Sequence, residues 1–235
     1  MDLYGLALRD YFNGDHSSTM IMHRDDGFKV ELPTKIFFAE PQEFSKIEKL
    51  ALDLCFGKVL DIGAGTGRHS LVLQNKGLDV YAIDISDEAV NIMKKRGIKK
   101  ATCKDIFEFH NDKFDTLLLL MHGIGMVETI TGLNKFLNHA HVLIKPNGQL
   151  IFDSLDVRCT NDPGNLTYQE NNKLNNRYIG EVHLQFEYKG KMGKPWIWLH
   201  IDPETLNNEA LKAGWKCEIV YQEPSGDYLA RLTEE

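Results

Sequence analysis

An α/β fold built on a mostly parallel sheet is predicted by three features of this 235-residue chain. Val59 to Ser70 reads as a short apolar strand, a glycine loop and a helix start. Strand and helix patterns then alternate as far as Ser154, and within them Phe114 to Met121 is an apolar run that fits a strand buried on both faces. With 43% hydrophobic residues the chain can bury a sizeable core, and its length fits one domain with additions. A single domain over 1–235 is therefore expected. It divides into an N-terminal segment (1–57), a core (58–155), an insert with a hairpin (156–201) and a terminal helix and strand pair (202–235).

Asp2 to Asn13 carries Leu3, Leu6, Leu8, Tyr11 and Phe12, which fits a short amphipathic helix. Thr19–Arg24 and Phe28–Leu32 flank the turn signal Asp25-Asp26-Gly27 and predict a hairpin. Ile47, Leu50, Ala51 and Leu54 give Ser45 to Cys55 helical spacing. Lys58 to Ile62 is the central strand, and Arg68 to Lys76 is the helix that follows the glycines. A strand over Asp79–Ile83 leads to a helix over Asp87–Arg96, started by Ser86 and Asp87 and ended by Gly97. Ala101–Asp105 is a third, weaker strand. After Phe114–Met121 come a helix over Leu133–Val142, the turn Lys145-Pro146-Asn147-Gly148, and a strand over Gln149–Ser154.

Asp156 to Tyr178 is polar, rich in asparagine and too long for a plain connection, so an inserted loop with a short helix is expected. Glu181–Lys189 and Trp196–Ile201 predict a second hairpin. Pro203 opens a helix that runs to Ala213 and stops at Gly214, and Trp215–Tyr221 and Asp227–Thr233 are the last two strands.

The glycine loop carries the chemistry. Gly63, Gly65 and Gly67 stand at alternate positions, where glycine tolerates left-handed angles and lets a ligand approach the main chain. Such a turn opens onto helix N-terminal amides, which favour polar or anionic groups. The dinucleotide fingerprint is Gly-x-Gly-x-x-Gly, but here the spacing is Gly-x-Gly-x-Gly with Asp61 just before it. A carboxylate there would repel a pyrophosphate and suit an ammonium-bearing ligand.

Val59 to Gly67 resembles motif I of the class I S-adenosylmethionine-dependent methyltransferases. Val80-Tyr81-Ala82-Ile83-Asp84-Ile85-Ser86 resembles that family's second strand, which ends in the acid that takes the ribose hydroxyls, and Leu143 to Leu150 resembles its post-motif segment. The resemblance covers Lys58–Leu155 and, less closely, Asp202–Leu232. It implies a Rossmann-like class I fold: a seven-stranded, mostly parallel sheet with helices on both faces, and a last strand inserted antiparallel. It further implies S-adenosyl-L-methionine as cofactor and S-adenosyl-L-homocysteine as product. Asp61, Gly63, Ala64, Gly65, Thr66, Gly67, His69, Asp84, Ile85, Asp105, Ile106, Met121 and His122 would then contact the cofactor.

On the same resemblance the N-terminal segment forms a lid, and Tyr11 and Phe37 line an acceptor site. His183 and Trp198, on the second hairpin, could stack on a flat acceptor. His122 is the candidate base because it titrates near neutral pH and ends the central strand; Asp153, at the adjoining strand end, could bind an acceptor hydroxyl or ammonium. Ordinary packing and loop capping stay open for each of these residues.

No Asn-Pro-Pro-Tyr or Asp-Pro-Pro-Tyr follows Phe114–Met121, which favours a small-molecule acceptor, methylated at oxygen or nitrogen, over a nucleobase. RNA or protein methylation and a non-catalytic cofactor-binding role remain as alternatives, while an NAD-dependent oxidoreductase is disfavoured by the loop spacing. The net charge of −7 argues against a broad nucleic-acid face. Cys55, Cys103, Cys159 and Cys217 form no Cys-x-x-Cys pair, so no metal site is expected. The sequence has no apolar run long enough to span a membrane, and Met1 to Asp10 lacks a signal-peptide pattern, so a cytoplasmic location is expected. A homodimer stays open.

Overall fold

The computed structural model describes residues 1–110 and 112–234. In chain order the elements begin α1 (Leu3–Phe12), β1 (Thr19–Arg24), β2 (Lys29–Pro33), α2 (Lys46–Leu54), β3 (Lys58–Ile62), α3 (Arg68–Asn75), β4 (Asp79–Asp84), α4 (Asp87–Lys95) and β5 (Ala101–Cys103). They continue with β6 (Phe114–Leu119), α5 (Ile130–Leu143), β7 (Ile144–Leu155), α6 (Pro163–Leu174), β8 (Glu181–Tyr188), β9 (Lys191–Met192), β10 (Trp196–Leu199), α7 (Pro203–Lys212), β11 (Trp215–Gln222) and β12 (Asp227–Glu234). No helix among the described residues is long and apolar enough to cross a membrane.

The contacts divide the chain into two compact units, Met1–Asn111 with Leu184–Trp196 and Asp112–His183 with Ile197–Glu235. The main sheet has seven strands in the order β11-β12-β7-β6-β3-β4-β5. In the first unit β3, β4 and β5 pair in parallel, Val59 opposite Val80 and Asp84 opposite Cys103. In the second, β6 and β7 are parallel and β12 is antiparallel to both β7 and β11. The last strand thus lies between its two predecessors, as the resemblance implies.

Local chemistry explains most element boundaries. Ser45 caps α2 by accepting the Glu48 amide, and Glu48 returns a bond to the Ser45 amide, a complete capping box. Ser86 caps α4, whose first turn carries Asp87 and Glu88 and whose last carries Lys94 and Lys95, matching the helix dipole. Helix α5 begins at Ile130, three residues before the predicted start, because the Thr129 hydroxyl accepts the Gly132 amide. The predicted strand to Met121 stops at Leu119, since Met121 and His122 adopt left-handed angles, φ 61° and 56°, that no strand can hold. The Lys145–Gly148 turn does not precede β7 but is absorbed into it as an irregularity: Phe114 faces Ile144, whereas Thr116 already faces Gln149.

The first unit also holds a second small sheet. Strand β1 pairs antiparallel with β2 and, on its other side, with β8, so the two predicted hairpins are joined rather than separate. Leu3, Ala7, Met20 and Tyr188 form a buried cluster that glues α1 to this sheet. Beneath it the Ser18 hydroxyl contacts the Thr34 and Tyr188 hydroxyls at 3.0 and 3.1 Å, and Tyr188 donates to Asp10 at 2.9 Å. In the second unit the core is aromatic: Phe114, Phe136, Phe152, Trp215 and Tyr228 are fully buried, and the Trp215 indole donates to the Leu137 carbonyl.

Candidate cofactor and acceptor sites

The glycine loop in the first unit is built by strand β4. Both the Gly63 and the Ala64 amides donate to the Ile83 carbonyl, at 2.9 and 3.0 Å, so the chain turns tightly off β3. Gly63, Gly65 and Gly67 all sit in the left-handed region, at φ 69°, 57° and 76°. The Gly65 amide donates to Asp84 Oδ2 at 2.8 Å and the Ser86 amide to Oδ1 at 2.9 Å. Burial pushes the Asp84 pKa up and outweighs these two bonds, and the nearby Asp2 and Asp61 charges add to the rise. Each carboxylate oxygen keeps a lone pair for a hydroxyl donor. A Cβ on Gly63 would meet nothing within 4 Å, so the backbone there is open to a ligand. An exposed main chain beside an acceptor-rich carboxylate fits the nucleoside of S-adenosylmethionine.

The neighbouring predicted contacts have defined partners. Asp61 is buried and accepts the Ser70 hydroxyl at 2.6 Å; burial raises its pKa against the pull of His69 and Ser70. The Thr66 hydroxyl donates to the Phe37 carbonyl and accepts from Arg96. Asp105 caps a 3-10 turn over Ile106–Glu108 through the Phe107 amide at 2.9 Å, leaving Ile106 buried, while Ile85 is 78% exposed. The His69 imidazole lies 2.7 Å from Glu48 Oε1, edge-on to Phe44, and Arg68 pairs with the same carboxylate. Glu48 was not among the predicted site residues, although Ser45-x-x-Glu48 is a readable capping box.

Helix α1 packs on this loop. The Tyr4 hydroxyl lies 2.9 Å from where a Gly65 Cβ would stand, and Asp2 accepts both the Gly5 amide and, at 2.5 Å, the Ser86 hydroxyl. Neither Asp2 nor Tyr4 was predicted. Of the aromatics that were, Tyr11 stacks on Phe38 at 4.7 Å and Phe37 meets Tyr4 edge-on at 5.1 Å.

The second unit gathers a titratable cluster at the end of β6. Asp153, on β7, accepts the His122 amide with both oxygens at 3.0 Å, which pins the left-handed Met121-His122 pair. The His122 side chain then reaches Asp227, with Nε2 3.0 Å from Oδ1, and stands 3.7 Å from Asp153 Oδ2. Burial alone would lower the His122 pKa, but the Asp227 bond and the two carboxylate charges outweigh it, and the pKa rises. His122 in turn lowers that of Asp227. His200 lies edge-on to His122 at 5.3 Å; burial and then the His122 charge drive its pKa down to about 3, so it stays neutral. Its Nδ1 is buried without a hydrogen-bond partner among the described residues. Asp227 was missed as a site residue because its role needs β12 beside β7, where Asp227 pairs with Leu155.

The remaining predicted residues also fall here. His183 Nε2 lies 2.8 Å from Arg177 Nη1, and the Trp198 indole lies against Gly125 in the 3-10 turn after His122. A Cβ on Gly125 would enter the space of that indole. Gly125→Ala is thus expected to cost about 1–3 kcal/mol through overpacking, and denaturant unfolding of the variant checks it. No group of three or more His, Cys, Asp or Glu among the described residues is arranged to hold a metal ion.

Comparison with known proteins agrees with this geometry. The sequence profile of a family described as a methyltransferase domain matches residues 36–219. A crystal structure of a SAM-dependent methyltransferase from Bacteroides fragilis, in complex with S-adenosyl-L-homocysteine, is 32% identical over 99% of this chain and 94% of its own, with a TM-score of 0.87. Among curated proteins, a bifunctional biotin biosynthesis protein of Saccharophagus degradans is 31% identical over 46% of this chain and 21% of its own length. A ubiquinone biosynthesis O-methyltransferase of Actinobacillus pleuropneumoniae is 25% identical over 52% of this chain and 55% of its own. The match thus spans only a fifth to about half of those two curated relatives. With the profile covering most of the chain, and the glycine loop, Asp84 and the inserted β12 in place, this chain belongs to the class I S-adenosylmethionine-dependent methyltransferase family.

Proposed function

We propose that this protein methylates an oxygen or nitrogen of a small-molecule acceptor and that His122, oriented by Asp227, accepts the proton the acceptor loses. The paired His122 and Asp227 side chains, on a backbone turn pinned by Asp153, carry this reading. Bound S-adenosylmethionine supplies an electrophilic methyl group. A neutral hydroxyl or a protonated amine must shed its proton to attack it, and a positioned base contributes about 10²–10⁴-fold to such a step. His122 fits that role because Asp227 both orients the ring and raises its basicity. Asp153 acts by shaping the turn, and Asp84 and the glycine loop hold the cofactor's ribose. A small acceptor is supported by the acidic net charge of −7 and by relatives whose names place them in ubiquinone and biotin biosynthesis.

The test is transfer of labelled methyl from S-adenosylmethionine to a panel of phenols, amines and carboxylic acids, run beside bulk RNA and protein. Labelling confined to the macromolecules would overturn the small-molecule assignment. Asp84→Ala serves as the cofactor control. Losing charge-assisted hydrogen bonds, it is expected to weaken S-adenosylhomocysteine binding about 10- to 100-fold by calorimetry.

A further inference from the structure

We infer that the cavity bounded by Tyr4, Phe186 and Trp196 seats a planar aromatic ring of the acceptor, and that Lys194 on its wall holds an acidic substituent of that ring. The inference rests on the methyltransferase reading for the word acceptor, though not for the binding itself. The cavity lies wholly in the first unit, between the start of α1 and the β8–β10 segment, and measures about 190 Å³. A cavity of roughly 150 Å³ can take a benzene ring, so this one suits a single substituted ring better than a fused polycycle.

Its walls favour a flat π ligand. Phe186 and Trp196 lie 4.4 Å apart and tilted by 43°, and Tyr4 runs nearly parallel to Phe186, at 14° and 6.4 Å between centroids. All three rings are only partly buried, so ring surface is left for a partner. Tyr4 also ties the cavity to the cofactor loop, because its hydroxyl abuts Gly65.

The charges decide the ligand's sign. Asp2 lines the cavity too, but its carboxylate is already engaged by the Gly5 amide and the Ser86 hydroxyl. Lys194 is exposed and enters no ion pair among the described residues. Asp2 keeps its negative charge, but its oxygens are held at the Gly5 amide and the Ser86 hydroxyl, whereas the Lys194 ammonium, in no ion pair among the described residues, can reach out to an acidic substituent of the ligand. The adenine of a bound cofactor would be another flat candidate, yet Asp84, Asp105 and Ile106, the predicted nucleoside contacts, are absent from the cavity's lining.

The experiment uses the full chain with and without saturating S-adenosylhomocysteine, and probes it with benzoate, benzamide and cyclohexanecarboxylate by saturation-transfer NMR and tryptophan fluorescence. Benzoate is expected to bind best. Phe186→Leu should weaken it about tenfold, and Lys194→Gln about threefold in a salt-dependent way while leaving benzamide unchanged. Equal binding of cyclohexanecarboxylate, indifference to both substitutions, or no benzoate binding at millimolar concentration would overturn the inference. Displacement of benzoate by S-adenosylhomocysteine would also overturn it, by giving the cavity to the cofactor. If S-adenosylhomocysteine fails to bind while benzoate shows the expected pattern, the cavity assignment stands and the methyltransferase reading falls.

Discussion

His122→Gln is expected to lower kcat by about 10²–10⁴-fold, the largest catalytic effect of any single change outside the cofactor loop. The pH profile separates a base from a merely structural histidine. His122 must be neutral to take a proton, and its pKa is raised above the ordinary 6.5. The acid limb of kcat/KM should therefore lie above pH 6.5 in the native protein. In Asp227→Asn the raising bond and charge are gone, so the limb should shift to lower pH while kcat falls from lost orientation. A native profile flat from weakly acidic to weakly alkaline pH would refute the assignment. The same shift has a stability sign: because the folded pKa exceeds the unfolded one, the contribution is complete below the unfolded value and fades as pH rises through the folded value. His200 acts in the opposite sense, since its depressed pKa makes protonation, and hence acid, destabilising.

Glu48→Ala is expected to destabilise the fold by about 3–5 kcal/mol. Only 9% of Glu48 is exposed, and its carboxylate faces Arg68 and His69 together, so truncation removes the buried counter-charge of the Arg68 guanidinium and the shared acceptor of both side chains. Burial opposes ionisation, yet the His69 bond, the Arg68 charge and the Ser45 amide prevail and bring the Glu48 pKa down to about 2. Its contribution is therefore present above pH 4.5, the usual value, and is lost as pH falls toward 2. At a few degrees per kcal/mol in a chain of this size, Tm should drop by about 10 °C. By contrast Arg9→Gln, which removes the pair with Glu88 at 41% and 30% exposure, should change stability by less than about 1 kcal/mol. Calorimetric scans of both variants check the contrast, and equal effects would show that burial is not what gives Glu48 its weight.

The glycine loop and the strand end that carries Asp84 were legible because their signals are local. Three glycines, an acid before them and Asp84 at the end of the next strand lie within 24 residues, on one strand–loop–helix–strand unit whose register follows from the βαβ geometry. Side-chain assignments within it were less legible. The spacing that places His69 on the first turn of α3 carries no information about Glu48 on α2, which claims the imidazole. The cluster at the end of β6 was harder still, for His122 could be nominated from its place after an apolar strand, but its partner Asp227 is 105 positions away.

The chain's own patterning was enough to determine the α/β class, the order of nearly every element, the family resemblance and the glycine loop after β3. Those depend on periodicity, capping and glycine conformations, all of which act over a few residues. Tertiary structure alone decided that the two hairpins share one sheet, that Tyr188 reaches Asp10 across 178 positions, that Asp227 rather than Asp153 meets the His122 ring, and that Tyr4, Phe186 and Trp196 line one open cavity. Pairings of that range are selected by which surfaces the packed chain can bury together and which charges it must then satisfy, and no local pattern encodes either.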